Sequence, residues 1–467
     1  MTDPLRYEPM EKTAPTTTLE IVLTLLVLAA ARKYEVEGFD VPGAYLNANL
    51  KAGRFHKMRI SKRIAKILLE VDPSAKQFLQ PDGTVLVEIR RSLYGLPEAA
   101  QLWYEYLSGA LKDGGYTQCP YDPCLFVRFK GSSEVSIIAI YVDDCLHVYK
   151  GEGIRRELYK SLSDHKLKDL KVEQLTTKTP ISFLGLNIKR KTPDVLFVNQ
   201  IGYLDSVLNE YRNDFEDLRE QPNPCGEDIF KPEYNAEDSE PINATEFLSK
   251  LMKVRYLVRT RPDIELACTG LCTRSRNPSV GDMKALNKLL KYLSGTRGHG
   301  IFIRPTDLQT VCFFDAGFAV HLDRKSHSGH WIAFGDQTLR VGIHWRSVKQ
   351  KIVATSSTEA ELVSMYEGLD FVIWFKRVLE FLRIPQKTIR VFQDNTSTIS
   401  MAFFGRGSSG SNTRHIDIKY FFTKQFVEDG TIVLEHLPRE NMIADFFASP
   451  RTGQSFRKMR DKIMAAT

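Results

Sequence analysis

A chain of 467 residues that is 43% hydrophobic and 26% charged, with a formal net charge of +7, is too long for one ordinary core and too apolar to be disordered, so about two to four globular units are expected. The one membrane-like run, Ile21–Ala31, falls short of the ~20 residues a spanning helix needs and is flanked by Glu20 and Arg32-Lys33, which reads as a buried helix and argues against a membrane partner. Asp3, Glu8, Glu11 and Glu20 make the start a poor secretory signal, and seven cysteines without paired Cys-x-x-Cys spacing read as reduced thiols of an intracellular protein rather than a disulfide framework or zinc site.

From Thr17 to about Leu204, helical spacing alternates with β-rich runs at Val85–Ile89, Leu125–Phe129, Val135–Tyr149 and Pro180–Ile188, the pattern of one α/β unit. Basic residues gather at Arg54, His56, Lys57, Arg59, Lys62, Arg63 and Lys66, and again over Lys349–Lys351; phosphate contact or a solvated helix face fits either cluster. From Asp214 to Asn243 the chain turns polar, acidic and Pro-rich, which predicts a long connecting segment and an internal boundary. Thr245–Ser275 and Asp282–Ser294 have helical spacing, with Cys268 and Cys272 on one face as core residues. A second α/β unit follows. Its predicted strands are Thr310–Phe314, Gly329–Phe334, Gly342–Trp345, Thr388–Gln393 and Thr431–His436. Its predicted helices are Thr358–Leu382, Thr396–Phe404 and Glu440–Phe447, with a Gly/Ser loop at Gly405–Asn412.

Tyr141-Val142-Asp143-Asp144 places two adjacent carboxylates where an apolar hairpin turns. Like charges in that setting raise each other's pKa unless a cation such as Mg²⁺ neutralises them, although an Asp-Asp turn has the same four letters. A two-metal site needs a further acid on a neighbouring strand, and Asp40, ending an extended run before Pro42-Gly43, is the candidate, with Tyr45 five residues on. Phe39-Asp-Val-Pro-Gly-Ala-Tyr-Leu-Asn47, Ser92-Leu-Tyr-Gly-Leu96, Tyr141–Asp144 and Phe183-Leu-Gly-Leu186, in that order, resemble reverse transcriptases, and in detail the Pol polyprotein of copia-type LTR retrotransposons. The resemblance implies that Asp40, Asp143 and Asp144 bind two Mg²⁺ ions in a polymerase palm, with Mn²⁺ as a substitute. It implies that Tyr45 stacks beneath the nucleotide sugar, that Leu93, Tyr94 and Gly95 contact the template base pair, and that Phe183, Leu184 and Gly185 grip the primer end. Pro97-Glu98-Ala99-Ala100 departs from a family that often has basic or amide groups there.

In the last unit Asp315 follows a strand, Glu359 opens a helix, Asp394 ends a strand and Asp445 lies on the final helix. Singly, these read as a strand-end acid, the Ser356-x-x-Glu359 capping box, a helix cap and a solvated flank. Together the order strand-Asp, three-strand meander, helix-Glu, strand-Asp, helix-Asp resembles the ribonuclease H fold. Ala354–Glu361, Asp394-Asn395, Arg414-His-Ile-Asp417 and Ala444-Asp445 again resemble copia-type Pol. The implied ligands of two further Mg²⁺ ions are Asp315, Glu359, Asp394 and Asp445, with Glu361 as the alternative to Glu359 and His415 as a structural histidine. Where the family has Asp-Ala-Asp-Trp, this chain reads Asp315-Ala-Gly317-Phe318.

The expected fold is therefore a multidomain α/β and α+β chain. It divides into right-hand polymerase palm with partial fingers over residues 1–210, a linker with helical thumb or connection over 211–305, a ribonuclease H-like domain over 306–452 and a C-terminal tail over 453–467. The expected activity is RNA- and DNA-templated DNA polymerisation with cleavage of the RNA strand of hybrids. Its implied partners are RNA template, DNA primer, RNA–DNA hybrid, dNTPs and the element's other Pol and Gag products, in a cytoplasmic virus-like particle or the nucleus. The chain starts just ahead of the family's Ala-Pro segment, here Ala14-Pro15, so basic fingers strands are expected to be missing and hybrid cleavage is expected to survive better than polymerisation. The alternative is a degenerate or repurposed Pol fragment that binds nucleic acid without polymerising.

Overall fold

The computed structural model describes residues 13–51, 54, 56–335, 340–404 and 422–464. The Gly405–Asn412 loop and the Arg414–Asp417 motif with His415 lie outside them. The chain forms two compact units, one of residues 37–173 with the stretch through Thr17, the other of residues 18–36 and 174–467. The division falls at Glu173/Gln174 and not near residue 210 or in the Pro-rich segment.

Helix α1 (Leu19–Arg32) starts at Thr18, whose Oγ1 accepts from Ile21 N at 3.4 Å, and stops at Lys33 with φ 52°. Every residue from Ile21 to Ala30 is buried, as a helix apolar on all sides requires. Strand β1 (Glu35–Asp40) leads to the short helix α2 (Ala44–Asn47). The ribbon β2 (His56–Ile60) with β3 (Val85–Ile89) flanks α3 (Lys62–Val71), which leaves Ile64, Ile67 and Val71 exposed. Then come α4 (Ala99–Asp113), β4 (Thr117–Gln118), β5 (Leu125–Lys130), β6 (Glu134–Tyr141), β7 (Asp144–Lys150), α5 (Glu152–Asp164) and β8 (Lys171–Gln174). The sheet order is β4-β5-β6-β7-β1-β8. Trp103, Leu107 and Leu111, one turn apart on α4, meet Leu158 and Leu162 of α5 over Ile138, Ile140 and Cys145, the ordinary burial of two apolar helix stripes on a sheet. The place of β1 next to β7 of the β6–β7 hairpin is what brings the first set of acids together.

In the second unit β9 (Ile181–Phe183), β10 (Leu186–Thr192) and β11 (Val195–Asn199) form a meander completed by β12 (Ile301–Ile303), in the order β12-β11-β10-β9. The pairing Leu196↔Ile303 is why residues 174–199 join this unit and not the palm. Helices α6 (Ile201–Glu210), α7 (Arg212–Phe215), α8 (Ala244–Arg255), α9 (Glu265–Cys272) and α10 (Val280–Gly295) supply one helical core. The acidic segment packs into that core through Ile229 and Phe230, so it is irregular chain held by apolar anchors rather than a free linker.

The third sheet contains β13 (Thr310–Gly317), β14 (His327–Gly335), β15 (Arg340–Lys349), β16 (Ile389–Gln393) and β17 (Ile432–His436) in the order β15-β14-β13-β16-β17. The first three are antiparallel, whereas β16 runs parallel to β13 and β17 to β16. This is the ribonuclease H arrangement. Alternation along β13 divides the cores: Val311 and Phe313 face the helical core, Cys312 and Phe314 face α11 (Ser357–Phe381). Helix α12 (Thr396–Phe404) follows β16. The predicted helix Glu440–Phe447 is instead a 3₁₀ turn, Arg439–Asn441, and a short helix α13 (Asp445–Ala448). The predicted tail contains α14 (Gly453–Ile463), whose Phe456, Met459 and Ile463 share one buried face. Among the described residues no helix is long and apolar enough to cross a membrane.

Candidate functional site

Two groups of carboxylates stand at strand ends, one in each unit. In the first, Tyr141↔Asp144 is the last pair of the β6–β7 hairpin, so Val142-Asp143 is a two-residue turn. Val142 has φ 58°, a conformation that costs a β-branched residue about 1–2 kcal/mol. Two hydrogen bonds hold it: Trp103 Nε1 donates to Val142 O at 2.6 Å and Val41 N donates to Asp143 O at 3.1 Å. The second ties the end of β1 to the turn and sets Asp40 beside Asp143 and Asp144. Asp40 and Asp144 are half-buried and Asp143 is exposed. Beneath them the buried Cys145 thiol is pushed well up, first by burial and then by the charges of Asp144, Asp143, Cys124 and Asp40.

Tyr45 belongs to this group. Its phenol is pushed up by burial, then by Asp143 and Tyr94, and its ring lies 5.8 Å from that of Tyr94. Tyr94 and Gly95 occupy a turn closed by Leu96 N donating to Leu93 O at 3.0 Å, with Gly95 at φ 98°, which glycine adopts without steric cost. Ser92 N donates to Ala48 O at 2.8 Å and so ties this turn to the segment after Tyr45. Tyr94 is 85% exposed. The departure after Leu96 has a local reason: Glu98 is buried, accepts from Arg54 Nη1 at 2.7 Å and lies 3.2 Å from His56 Nε2. Two members of the basic cluster thus face a carboxylate.

Phe183, Leu184 and Gly185 lie in the other unit, at the β9–β10 turn. Phe183 is a correction, because its side chain is fully buried and is part of a core rather than a contact surface. Leu184 and Gly185, at φ 54° and 72°, form a two-residue turn whose Leu184 O accepts from Arg259 Nη1 at 2.7 Å and Tyr256 Oη at 3.3 Å. A Cβ on Gly185 would stand 2.8 Å from Tyr256 Oη.

The second group is tighter. Asp315, Glu361 and Asp394 have carboxylate oxygens within 4.8 Å of one another, the one such trio of acids among the described residues. Asp315 ends the buried run of β13, Glu361 is on the second turn of α11, and Asp394 follows β16. Asp315 and Glu361 are 4% and 5% exposed. Burial, then neighbouring acids, pushes Asp315 and Glu361 well above the usual carboxylate range, and burial also raises Asp394. A divalent cation would relieve that repulsion, and three carboxylate oxygen donors suit a hard ion.

Glu359 is the correction here. Its Oε2 accepts from Thr355 N at 2.7 Å and Thr355 Oγ1 at 2.6 Å, while Glu359 N donates to Ser356 Oγ at 3.2 Å, so it caps the start of α11 and Glu361 takes the place in the cluster. Two residues on a helix are about 200° apart, so only one of these acids faces β13. Asp445 is buried and close enough for its charge to raise Asp315 and Asp394, but it is held by Arg439 Nη2 at 3.3 Å and Arg451 Nε at 2.7 Å. Neither arginine was anticipated; each is six residues from Asp445, and that spacing carries no recognisable signal. Gln393 was also missed: its Nε2 donates to Glu361 Oε2 at 3.3 Å and its Oε1 accepts from Asp394 N at 2.8 Å.

Glycines allow α13 to approach. A Cβ on Gly329 would lie 2.3 Å from Ala444 O, and one on Gly317 would lie 2.8 Å from Ala448 O. The Asp315-Ala-Gly317 departure therefore follows from close packing beside Asp445.

A palm-like hairpin sheet with acids at its turn and a ribonuclease H-like sheet with acids at its strand ends are thus the two folds that hold the candidate site residues. Residues 5–214 match the family described as reverse transcriptase (RNA-dependent DNA polymerase), and the chain is related to the Pol polyproteins of copia-type retrotransposons. It is 28% identical over 444 residues to the retrovirus-related Pol polyprotein from transposon TNT 1-94 of Nicotiana tabacum, covering 92% of this chain and 31% of that one. It is 27% identical to the Pol polyprotein from transposon RE1 of Arabidopsis thaliana, covering 96% of this chain and 28% of that one. The chain thus spans less than a third of the length of these relatives. Among solved structures, the foamy viral protease-reverse transcriptase in complex with dsDNA is similar at 13% identity and a TM-score of 0.46, covering 87% of this chain and 68% of that one.

Proposed function

We propose that this chain acts on nucleic acid at both acid groups, as an RNA-DNA hybrid ribonuclease at Asp315, Glu361 and Asp394 and as a templated DNA polymerase at Asp40, Asp143 and Asp144. The observation that carries the reading is the trio itself: three carboxylates within 4.8 Å, two of them buried and Asp394 half-buried, are electrostatically costly without a cation. Mg²⁺ is the proposed ion, with Mn²⁺ able to replace it. When bound, it would neutralise the acids and lower the pKa of a coordinated water. The chain's own residues hold the ligands: Gln393 orients Glu361 and fixes the start of the loop carrying Asp394, and Ser364 Oγ donates to Asp315 O at 2.8 Å. Asp445 completes the acid set in this proposal through whichever oxygen its arginines release.

At the palm, Tyr45 with Tyr94 would bound the nucleotide sugar and Leu93–Gly95 the template base pair. Leu184 and Gly185 remain candidates for primer contact. The proposed substrates are RNA template, DNA primer, dNTPs and the hybrid product, and the proposed setting is a virus-like particle or the nucleus with other products of such an element.

A labelled RNA–DNA hybrid incubated with the full chain and Mg²⁺ tests the ribonuclease, and primer extension on the same chain tests the polymerase. The expectation is hybrid cleavage abolished by Asp394→Asn and extension abolished by Asp143→Asn. Cleavage undiminished in Asp394→Asn would remove the trio from the chemistry.

A further inference from the structure

The two oxygens of Asp445 are held differently. Oδ2 accepts from Arg451 Nε at 2.7 Å, and Arg451 is well fixed: its side chain is 20% exposed and its Nη1 donates to Ser455 Oγ at 2.9 Å. Oδ1 meets Arg439 Nη2 at 3.3 Å, and the Arg439 side chain is 72% exposed. A long ion pair on an exposed guanidinium contributes little to stability, and Arg451 already supplies Asp445 with a counter-charge. Arg439 is therefore not needed to keep Asp445 buried.

Its placement has another use. Arg439 opens the 3₁₀ turn after β17, and its charge is felt by Asp315 and Asp394 as well as by Asp445. It touches the acid group through Asp445 alone, and its side chain is mostly in solvent. A guanidinium fork matches phosphate oxygens in pairs, and one aimed beside a metal-binding acid group is suited to a phosphodiester. Once a cation neutralises the acids, the attraction that holds Arg439 on Asp445 weakens.

We propose that Arg439 is a substrate-contacting residue of the nuclease site, transferred from Asp445 Oδ1 to a non-bridging oxygen of the phosphodiester to be cut, while Arg451 stays on Oδ2 as a positioning residue. The inference rests on the ribonuclease reading of Asp315, Glu361 and Asp394. It adds a cationic contact from the chain itself, and it assigns Oδ1 as the oxygen Asp445 can offer to a metal.

Steady-state hybrid cleavage by the full chain is compared for wild type, Arg439→Gln and Arg439→Lys, with melting temperature and Mn²⁺ affinity measured on each. Arg439→Gln should lower kcat about tenfold or more, Arg439→Lys should recover part of that, and neither melting temperature nor Mn²⁺ affinity should fall below wild type. In an Asp394→Asn background, where the hybrid is bound but not cut, Arg439→Gln should reduce the dependence of log affinity on log salt by about one. Cleavage by Arg439→Gln equal to wild type, or a loss matched by falling Mn²⁺ affinity or melting temperature, overturns the proposal and leaves the ribonuclease reading intact. A wild-type chain that cuts no hybrid overturns the ribonuclease reading and this inference with it.

Discussion

Replacing Glu361 with Gln should make the metal-free protein more stable and the nuclease inactive. Asp315 and Glu361 are raised well above the carboxylate range by burial first and then by neighbouring acids. For an acid raised in the folded state, stability is fully present below the unfolded value, ~4.3 for Glu, and is lost as pH rises through the folded value. Near neutral pH without a cation, keeping these acids protonated or burying their charge opposes folding, and a neutral isostere removes that cost at one of them. The gain is on the order of 1–2 kcal/mol, or roughly 2–4 °C in Tm per kcal/mol for a large domain. Added Mg²⁺ should stabilise wild type more than Glu361→Gln, because binding to the native state alone adds to stability. Glu359→Gln is the internal control. Its amide oxygen can still accept from Thr355, so the cap loses less than about 1 kcal/mol and cleavage is retained. Thermal melts in chelator and in Mg²⁺, run beside hybrid cleavage, read all of this. The reasoning fails if Glu361→Gln melts below wild type in chelator, or if Glu359→Gln stops cleavage while Glu361→Gln does not.

The remaining predictions concern how each acid group is supported. Gly329→Ala places a methyl 2.3 Å from Ala444 O and 2.6 Å from Ala448 N, so it should cost about 1–3 kcal/mol by displacing α13; an unchanged Tm together with unchanged cleavage would contradict that packing. Glu37 is fully buried and accepts from Tyr159 Oη at 2.6 Å and Arg155 Nε at 2.9 Å, with His147 Nδ1 at 2.8 Å. Glu37→Gln should destabilise the palm unit by about 3 kcal/mol. Burial alone would raise Glu37, but its bonds and charges from His147, Tyr159 and Arg155 lower it overall, whereas burial lowers His147. Both shifts stabilise at neutral pH. The His147 contribution is lost as pH falls below ~6.5 and that of Glu37 as pH falls below ~4.3 through its folded value. A melt-versus-pH series should show both losses in wild type and only the first in Glu37→Gln.

The features legible in the sequence were those set by local chemistry. Strand alternation, turn residues and motif order gave Asp40 beside the Asp143-Asp144 turn, and Asp315 and Asp394 at the ends of the β13 and β16 strands, because a strand end is fixed by nearby residues. The choice between Glu359 and Glu361 turned on which face of α11 meets β13, a tertiary fact. One local signal did point the right way: Ser356-x-x-Glu359 has capping-box spacing, and an acid engaged at its own helix start is poorly placed to hold a metal. Phe183 shows the reverse error. A motif match suggested contact, while alternation along Ile181-Ser-Phe183 put both apolar side chains inward. The Pro-rich segment is not a free boundary because a few apolar residues spread through it anchor it: Phe215, Ile229 and Phe230 are buried in the helical core, with Leu218, Cys225 and Ile242 packed against that core.

Asp445 marks the limit of such reading. Its burial was partly visible, since Met442, Ile443, Phe446 and Phe447 surround it in sequence. Its partners were not, because Arg439 and Arg451 reach it only after a 3₁₀ turn and the α13–α14 bend bring both sides of the chain back. The charge balance decides what that means. Four acids, Asp315, Glu361, Asp394 and Asp445, stand against two guanidinium groups, leaving a formal −2 when all six are ionised. One divalent ion balances that set. A second requires an arginine to leave, and the exposed, 3.3 Å contact of Arg439 is the one that gives way first. Metal titration of the full chain in an Asp143→Asn, Asp144→Asn background should therefore show one strong Mn²⁺ site with both arginines intact and tighter binding of a second ion in Arg439→Ala. Identical isotherms would mean that the arginines do not compete with metal for Asp445.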